Sequence, residues 1–368
     1  MSRVDRRATF SADIAKDAMR SQAIVEFGSP LREIETATPQ PSGTEVLLAV
    51  HHAGVCHSDV HIHDGYFELG GDKRLPLNVP LPHTMGHEIE GEIVATGPEA
   101  DGVGAGQHYV VFPWIGCGQC AACLRGEENL CGGRTRQIGC SPGIAGGYAT
   151  HVLVPHPRYL LDYGNVPPAL AAVYMCSGLT AFGAMKKVGP LGPDDQIVVL
   201  GCGGVGMMGI EFARALHGAS PIAADIVDAH LVAAKEGGAS AAYNTKDPGA
   251  AKQLVADTNG GAYAVVDFVG SESSFNFANA AVRRGGKIII VGLFGGAMTM
   301  PLPMFPLRAL TIMGSFVGSL SDAREMMTLA REGRVEPVPV QTRPLAEANR
   351  SLNDLRQGQI VGRVVLTP

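Results

Sequence analysis

Residues 197–206 read IVVLGCGGVG, and residues 207–218 continue as MMGIEFARALHG. The first four are apolar and mostly β-branched, which predicts a short buried strand, and the run after the glycines has the composition of a helix. Gly201, Gly203 and Gly206 fit G-x-G-x-x-G between the two, with Gly204 and Val205 completing the turn. In this setting the first glycine permits a tight turn, the second lets backbone approach a pyrophosphate, and the third lets the helix close on the strand. The helix N-terminus then faces the phosphates. A glycine motif alone is weak. It gains weight from PIAAD, residues 221–225, which ends in Asp225, 19 residues after Gly206. A carboxylate there can accept hydrogen bonds from a ribose and repels a 2′-phosphate, favouring NAD over NADP. The plainer use of Asp225 is a cap for the helix beginning near Asp228. Ile226 and Val227 bring no arginine to receive a phosphate.

The alternation continues through AAYN (241–244), a helix to about Thr258, YAVVDFVG (263–270), a helix over Ser274–Arg283 and GGKIIIVGLFGG (285–296). Strand and helix in turn predict an α/β fold with a Rossmann-type doubly wound parallel sheet. Val291, Gly292 and Leu293 end a strand on the side where such sheets bind ligands, and their backbone could touch a nicotinamide. Ordinary buried strand residues would look the same.

A chain of 368 residues exceeds one core's usual size, so two domains with a cleft between them are expected. With 46% hydrophobic and 17% charged residues it reads as compact and globular. The net charge of −6, with acids and bases well mixed, argues against nucleic acid as a partner. No apolar run approaches the roughly 20 residues that span a bilayer. The start, MSRVDRRATFSADIAKDAM, lacks the apolar centre of a secretory signal. The reading is a cytoplasmic protein with an extension over residues 1–19 and a first strand near Arg20.

In such a compartment the eight cysteines are expected as thiols, and clustering points to metal or catalysis. Cys117, Cys120, Cys123 and Cys131 form C-x2-C-x2-C-x7-C, a spacing that lets four thiolates close a tetrahedral structural zinc site. An iron–sulfur cluster is the rival, but its bacterial run has a last gap of three residues followed by proline, whereas Gly132 follows here. A site closed by four thiolates does no chemistry, so the reactive centre lies elsewhere. Cys56 in GVCHSDVH (54–61), His87 in GHE (86–88) and Cys176 in MCSGLT (175–180) are candidates for a second, open zinc site, two thiolates and an imidazole leaving one position free. Scattered as they are, their spacing does not prove it. Each taken singly is more often a buried thiol or a satisfied histidine.

From about residue 20 to the C-terminal GRVVLTP, the motifs GVCHSD, GHE, the four-cysteine lobe, the later cysteine and GCGGVG occur in the order of the zinc-containing medium-chain alcohol dehydrogenases, which the chain resembles. The resemblance implies one catalytic zinc on Cys56, His87 and Cys176 and one structural zinc on the four clustered cysteines. It also implies NAD as cofactor and a GroES-like, β-rich catalytic domain beside the Rossmann domain. Ser58 resembles the hydroxyl that takes the substrate proton, and His61 the base that passes it on. Asp59 resembles the carboxylate that orients the ligating histidine, and Glu88 the carboxylate near the zinc. His57 and Arg363 are similar to residues near the cofactor phosphates, and His230, Ser315 and Val317 complete the implied cofactor contacts. For the substrate pocket Ser58, Phe67, Trp114 and Leu293 are expected, with Tyr66 within reach; ordinary packing is the plainer use of each aromatic, and the pocket role is the one favoured here.

The expected division is a catalytic domain over 1–176, an NAD domain over 177–316 and a returning catalytic segment over 317–368, in a homotetramer or else a dimer. The implied activity is reversible hydride transfer between NAD and a primary or secondary, medium-chain or aromatic alcohol. A polyol or glutathione-linked formaldehyde dehydrogenase is the rival within the superfamily. A noncatalytic NAD-binding structural or redox-sensing protein is the rival outside it, and would lack the relay and the first zinc ligands.

Overall fold

The computed structural model describes residues 18–133, 136–140 and 144–368. The extension expected over residues 1–19 lies outside these except for its last two residues, and the first strand runs Ala18–Ile24.

Six parallel strands form one sheet, in the order Ala241–Asn244, Ile222–Asp225, Ile197–Leu200, Ala262–Asp267, Val282–Ile290, Thr311–Gly314. This is the doubly wound order in which the chain starts at the centre, fills one side and then crosses to the other. Ile197–Leu200 is buried at every residue, as a central strand covered by helices on both faces must be. The switch point lies between Ile197–Leu200 and Ala262–Asp267, so a crevice opens beyond Leu200 and Asp267. One sequence expectation shifts: the helix foreseen over Ser274–Arg283 runs Glu272–Ala281, and Val282 already starts the next strand. Ser271 and Ser274 form a capping box that fixes its start two residues earlier than the apolar pattern indicates.

A second, β-rich sheet carries Leu160–Leu161, His108–Val111, Glu88–Thr96, Val46–Gly54, Arg363–Thr367 and Val340–Pro344 side by side, with His151–Val154 also paired to Val46–Gly54. Its C-terminal strand arrives after the parallel sheet is complete, Val365 pairing with Gly54. The chain therefore leaves this sheet and returns to it.

A helical rod over Pro168–Val188 bridges the two sheets. Its length and mean hydropathy of 1.4 would let it cross a membrane, which corrects the expectation that no apolar run is long enough. It is 83% buried within the fold, as a core helix is. Its middle turn, Tyr174–Gly178, is a π-helix, an irregularity frequent at functional sites. Cys176 sits in that turn.

Candidate active site

Three distant segments converge beside the π-turn. Cys56 is the N-cap of the helix His57–Asp64, where its backbone N–H donates to the Asp59 carboxylate at 2.9 Å. His87 follows Gly86, whose φ of +95° suits only glycine. Cys176 completes the group, its Sγ 3.9 Å from that of Cys56. Ligand atoms of Cys56, His87, Glu88 and Cys176 all lie within 4.8 Å of one another, and all four residues are buried. A tetrahedral zinc with Zn–S of about 2.3 Å spaces two sulfurs by about 3.8 Å, which this pair matches.

Charge in the cluster favours a cation. His87 is fully buried and no hydrogen bond satisfies its Nε2, an expensive arrangement unless something else binds there. Its Nδ1 lies 3.3 Å from Asp59 Oδ1, which leaves Nε2 as the free donor. Burial opposes a charge on His87, yet Cys140, Cys176 and Asp59 outweigh it and raise its pKa well above the usual imidazole range. Between the sulfurs, the hydrogen bond from Cys176 holds Cys56 well below the usual thiol range, against the effect of burial. The donor set and the orphaned nitrogen fit a zinc ion.

Asp59 is fully buried and also accepts from Tyr148 Oη at 3.1 Å, so its place beside His87 is rigid. Glu88 is held by Arg363 Nη2 at 2.5 Å and by Ser177, whose Oγ donates at 2.5 Å and N–H at 3.2 Å. Burial pushes its pKa up to about 7, with the Arg363 guanidinium pulling the other way. Arg363, expected near cofactor phosphates, is thus 4% exposed and turned toward Glu88 and the Val55 carbonyl. Its aliphatic stem still packs under Gly204 in the glycine turn, so one side chain touches both centres.

A single cavity connects these groups with the crevice of the parallel sheet. It is lined on one side by Cys56, His57, Ser58, His61, Trp114, Cys176, Ser177 and Thr180, and on the other by Val205, Phe268, Val291, Gly292, Leu293, Phe294, Ser315, Phe316 and Val317. Ser58, Trp114 and Leu293, named above for the substrate pocket, all line this cavity. Phe67 does not line this cavity; its ring lies 4.8 Å from that of His61, behind it. Tyr66 is covered by the Arg74 guanidinium at 4.0 Å. Trp114 Nε1 donates to the Met175 carbonyl at 3.1 Å, and its ring meets Phe316 edge-on. Burial lowers the pKa of both His57 and His61, so each is neutral at pH 7. The His57 ring rests 4.9 Å from Phe294.

In the glycine turn, Gly201 has φ +86°, and a Cβ on Gly206 would strike the Gly201 carbonyl. Nothing stands within 4 Å of the place a Cβ would take on Gly203. The helix Gly204–His217 has no side chain capping its N-terminus, which leaves its first N–H groups available to an anion. Asp225 accepts from Cys202 N–H at 2.6 Å and Val227 N–H at 2.9 Å, and His230 Nδ1 lies 3.3 Å away. Burial works against this carboxylate, but these hydrogen bonds hold it below the usual range, so it is an anion. Neither Asp225 nor His230 lines the cavity described above; the two sit together at the end of Ile222–Asp225. These features fit a dinucleotide.

The four-cysteine lobe is equally well formed. All four sulfurs lie within 4.8 Å of one another, with Cys120 and Cys131 Sγ 3.8 Å apart. Backbone N–H groups of Cys117 and Gly133 point at Cys131, and that of Cys120 at Cys117, the way thiolate ligands are commonly supported. A backbone N–H at Cys123 brings Cys120 down to about 6, while burial pushes Cys123 up to about 12.

Sequence reasoning missed Ser177, Thr180, Tyr148, Phe268, Phe294 and Phe316. The three phenylalanines follow the ends of parallel strands or the return crossing, a position the strand-end rule for ligand sites would have flagged. Cys140, which the sequence left without a partner, lies beside His87.

Comparison with known proteins agrees with this geometry. Residues 42–163 match the family described as the alcohol dehydrogenase GroES-like domain, and residues 204–332 match the zinc-binding dehydrogenases. An NAD-dependent alcohol dehydrogenase of Sulfurisphaera tokodaii is 39% identical over 95% of this chain and 100% of its own length. The alcohol dehydrogenase of Aeropyrum pernix superposes with a TM-score of 0.86 at 28% identity, covering 95% of this chain and 100% of that one. The acetophenone reductase of Geotrichum candidum, solved in complex with NAD, has a TM-score of 0.82 at 30% identity over 95% of this chain and 97% of its own. Two cysteine clusters able to hold metal, a doubly wound sheet with a β-rich partner, and full-length likeness make this chain a member of the zinc-type medium-chain dehydrogenase/reductase family, on its alcohol dehydrogenase branch.

Proposed function

We propose that the protein is an NAD-dependent zinc alcohol dehydrogenase that interconverts primary or secondary, medium-chain or aromatic alcohols with their aldehydes or ketones. The observation that carries this is the shared cavity: Cys56 and Cys176 line one side, and the strand-end residues Val291, Gly292 and Leu293 line the other. A zinc held by Cys56, His87 and Cys176 would supply Lewis acidity toward the substrate oxygen, and NAD the hydride acceptor.

The chain's own residues do the rest. Ser58 Oγ accepts the alcohol proton and His61, neutral at pH 7, takes it onward to solvent. Asp59 fixes the His87 ring through Nδ1. Trp114, Leu293, Phe294 and Phe316 give the substrate side apolar walls, which suit alkyl or aryl groups better than polyols. Asp225 accepts from the adenosine ribose, and the uncapped helix at Gly204 receives the pyrophosphate.

The proposed division follows the two sheets, with the catalytic part over 1–176 and 317–368 and the NAD part between. The edge strand Thr311–Gly314 and the exposed Leu302, Met304 and Leu307 near it support self-association, which we read as a homotetramer. Eight free cysteines support a reducing compartment, the cytoplasm.

NADH formation across a panel of alcohols, with polyols and with formaldehyde plus glutathione, tests the reading when paired with zinc counting. Turnover of alkyl or aryl alcohols with two zinc ions per chain is expected. Activity confined to polyols or to the glutathione adduct, or none in a fully metallated protein, would overturn it.

A further inference from the structure

On the β-rich sheet a second group of metal-ligand side chains lies apart from both cysteine clusters. Strand Val46–Gly54 is irregular where Val50 pairs with Gly91 and His52 with Glu90, so that His51 is an extra residue without a partner position. Successive residues of a regular strand face opposite sides, and a bulge re-aims them. Here the bulge brings His51 and His52 to one cavity of about 340 Å3, shared with Glu90 from the neighbouring strand and His108 from the strand beyond it.

Ligand atoms of His51, Glu90 and His108 lie within 4.8 Å of one another, and the rings of His51 and His108 are 5.3 Å apart. Glu90 is 1% exposed. His52 Nδ1 lies 2.6 Å from its Oε2, Tyr163 Oη donates to its Oε1 at 2.9 Å, and His108 Nδ1 is 3.4 Å from Oε1. A carboxylate has about four lone-pair sites, so Glu90 stays able to bind a cation while these neighbours fix its direction. Two imidazoles and an oriented carboxylate are the donors that zinc and its neighbours prefer, whereas calcium and magnesium prefer oxygen alone. Bonds of about 2.0–2.1 Å in a tetrahedron put ligand atoms about 3.4 Å apart. The His108 side chain, 44% exposed, can rotate to close that difference.

The geometry points to a third metal site, in which His51, Glu90 and His108 bind a divalent ion of the zinc type and water from the open cavity completes its shell. The ion would pin three adjacent strands, His108–Val111, Glu88–Thr96 and Val46–Gly54. An ion that binds only the folded chain stabilises it by mass action. The site takes no part in the proposed reaction, so its test stands independently of that reading.

Full-length protein holding zinc in its two cysteine sites is titrated with Zn2+ by equilibrium dialysis, with thermal unfolding followed in parallel. Wild type is expected to take up a further equivalent and to melt at higher temperature. His108→Gln should weaken that equivalent at least about tenfold, a typical loss even for a residue supporting a metal site. His51→Ala combined with His108→Gln should abolish both the uptake and the thermal shift, while the two original zinc ions and alcohol oxidation persist. His108→Gln alone, at an exposed position, keeps the test valid where the double variant fails to fold. No further equivalent in wild type, or one equally strong in His108→Gln, overturns the proposal.

Discussion

Replacing Asp225 with asparagine separates two jobs that one carboxylate performs. Its oxygens accept from Cys202 N–H and Val227 N–H, so it braces the glycine turn. As an anion at the end of Ile222–Asp225 it also selects the cofactor. Asparagine keeps one acceptor oxygen, so one of the two N–H groups loses its partner, at a cost of about 1–3 kcal/mol in stability. Toward NAD the ribose loses an ionised acceptor, worth about 1.5–3 kcal/mol, or roughly 10- to 150-fold in kcat/KM. Toward NADP a repulsion disappears. Two unit charges about 5 Å apart at an effective dielectric constant of about 20 repel by about 3 kcal/mol. Together the NAD-to-NADP ratio of kcat/KM should fall by about 10³- to 10⁴-fold, mostly through KM. Initial rates with both cofactors and one alcohol measure it, with urea unfolding reporting the brace. A folded variant whose ratio changes less than about threefold would refute the selectivity argument and leave Asp225 as a turn support only. Equal losses with both cofactors would mean that the turn had collapsed.

Cys56→Ala should lower zinc from two to one per chain and cut turnover by at least about 10³-fold, while NADH still quenches Trp114 fluorescence; retained turnover would contradict the assignment. The His61 pKa is lowered by burial, so the ring is a base over most of the working range and protonates only below the usual imidazole value. Alcohol oxidation in wild type should therefore fall only as the pH drops below the usual imidazole range, and His61→Gln should be slower by about 10²-fold above that range with this inflection gone. An unchanged pH profile removes His61 from the relay. Cys120→Ala should release the zinc of the lobe and speed tryptic cleavage after the exposed Arg125 by at least about tenfold, as expected when a metal that closes a fold is lost. Unchanged cleavage would show that the lobe holds itself together without metal.

The glycine turn was legible because its requirements are local. A strand, three glycines and a helix occupy residues 197–218, and the conformation each glycine must adopt depends on its immediate neighbours. The four-cysteine lobe was legible for the same reason, since ligands a few residues apart must meet wherever the lobe sits. The open metal cluster was readable only through family likeness. Nothing local says that Cys56 Sγ and Cys176 Sγ, 120 positions apart, lie 3.9 Å from each other. That distance is set by a π-turn in the bridging helix and by the C-terminal strand returning beside Val46–Gly54.

The sequence by itself therefore determined the alternating α/β order, the dinucleotide turn and the closed thiolate lobe, each encoded within some twenty residues by backbone and ligand geometry. Only the tertiary structure decided that Arg363 pairs with Glu88, that Phe67 stands behind His61 and off the cavity wall, and that a bulge aims His51 and His52 at Glu90. Those outcomes depend on which strands lie side by side and in what register. Pairing between distant segments is fixed by the packing of the whole core, which no short stretch of chain encodes.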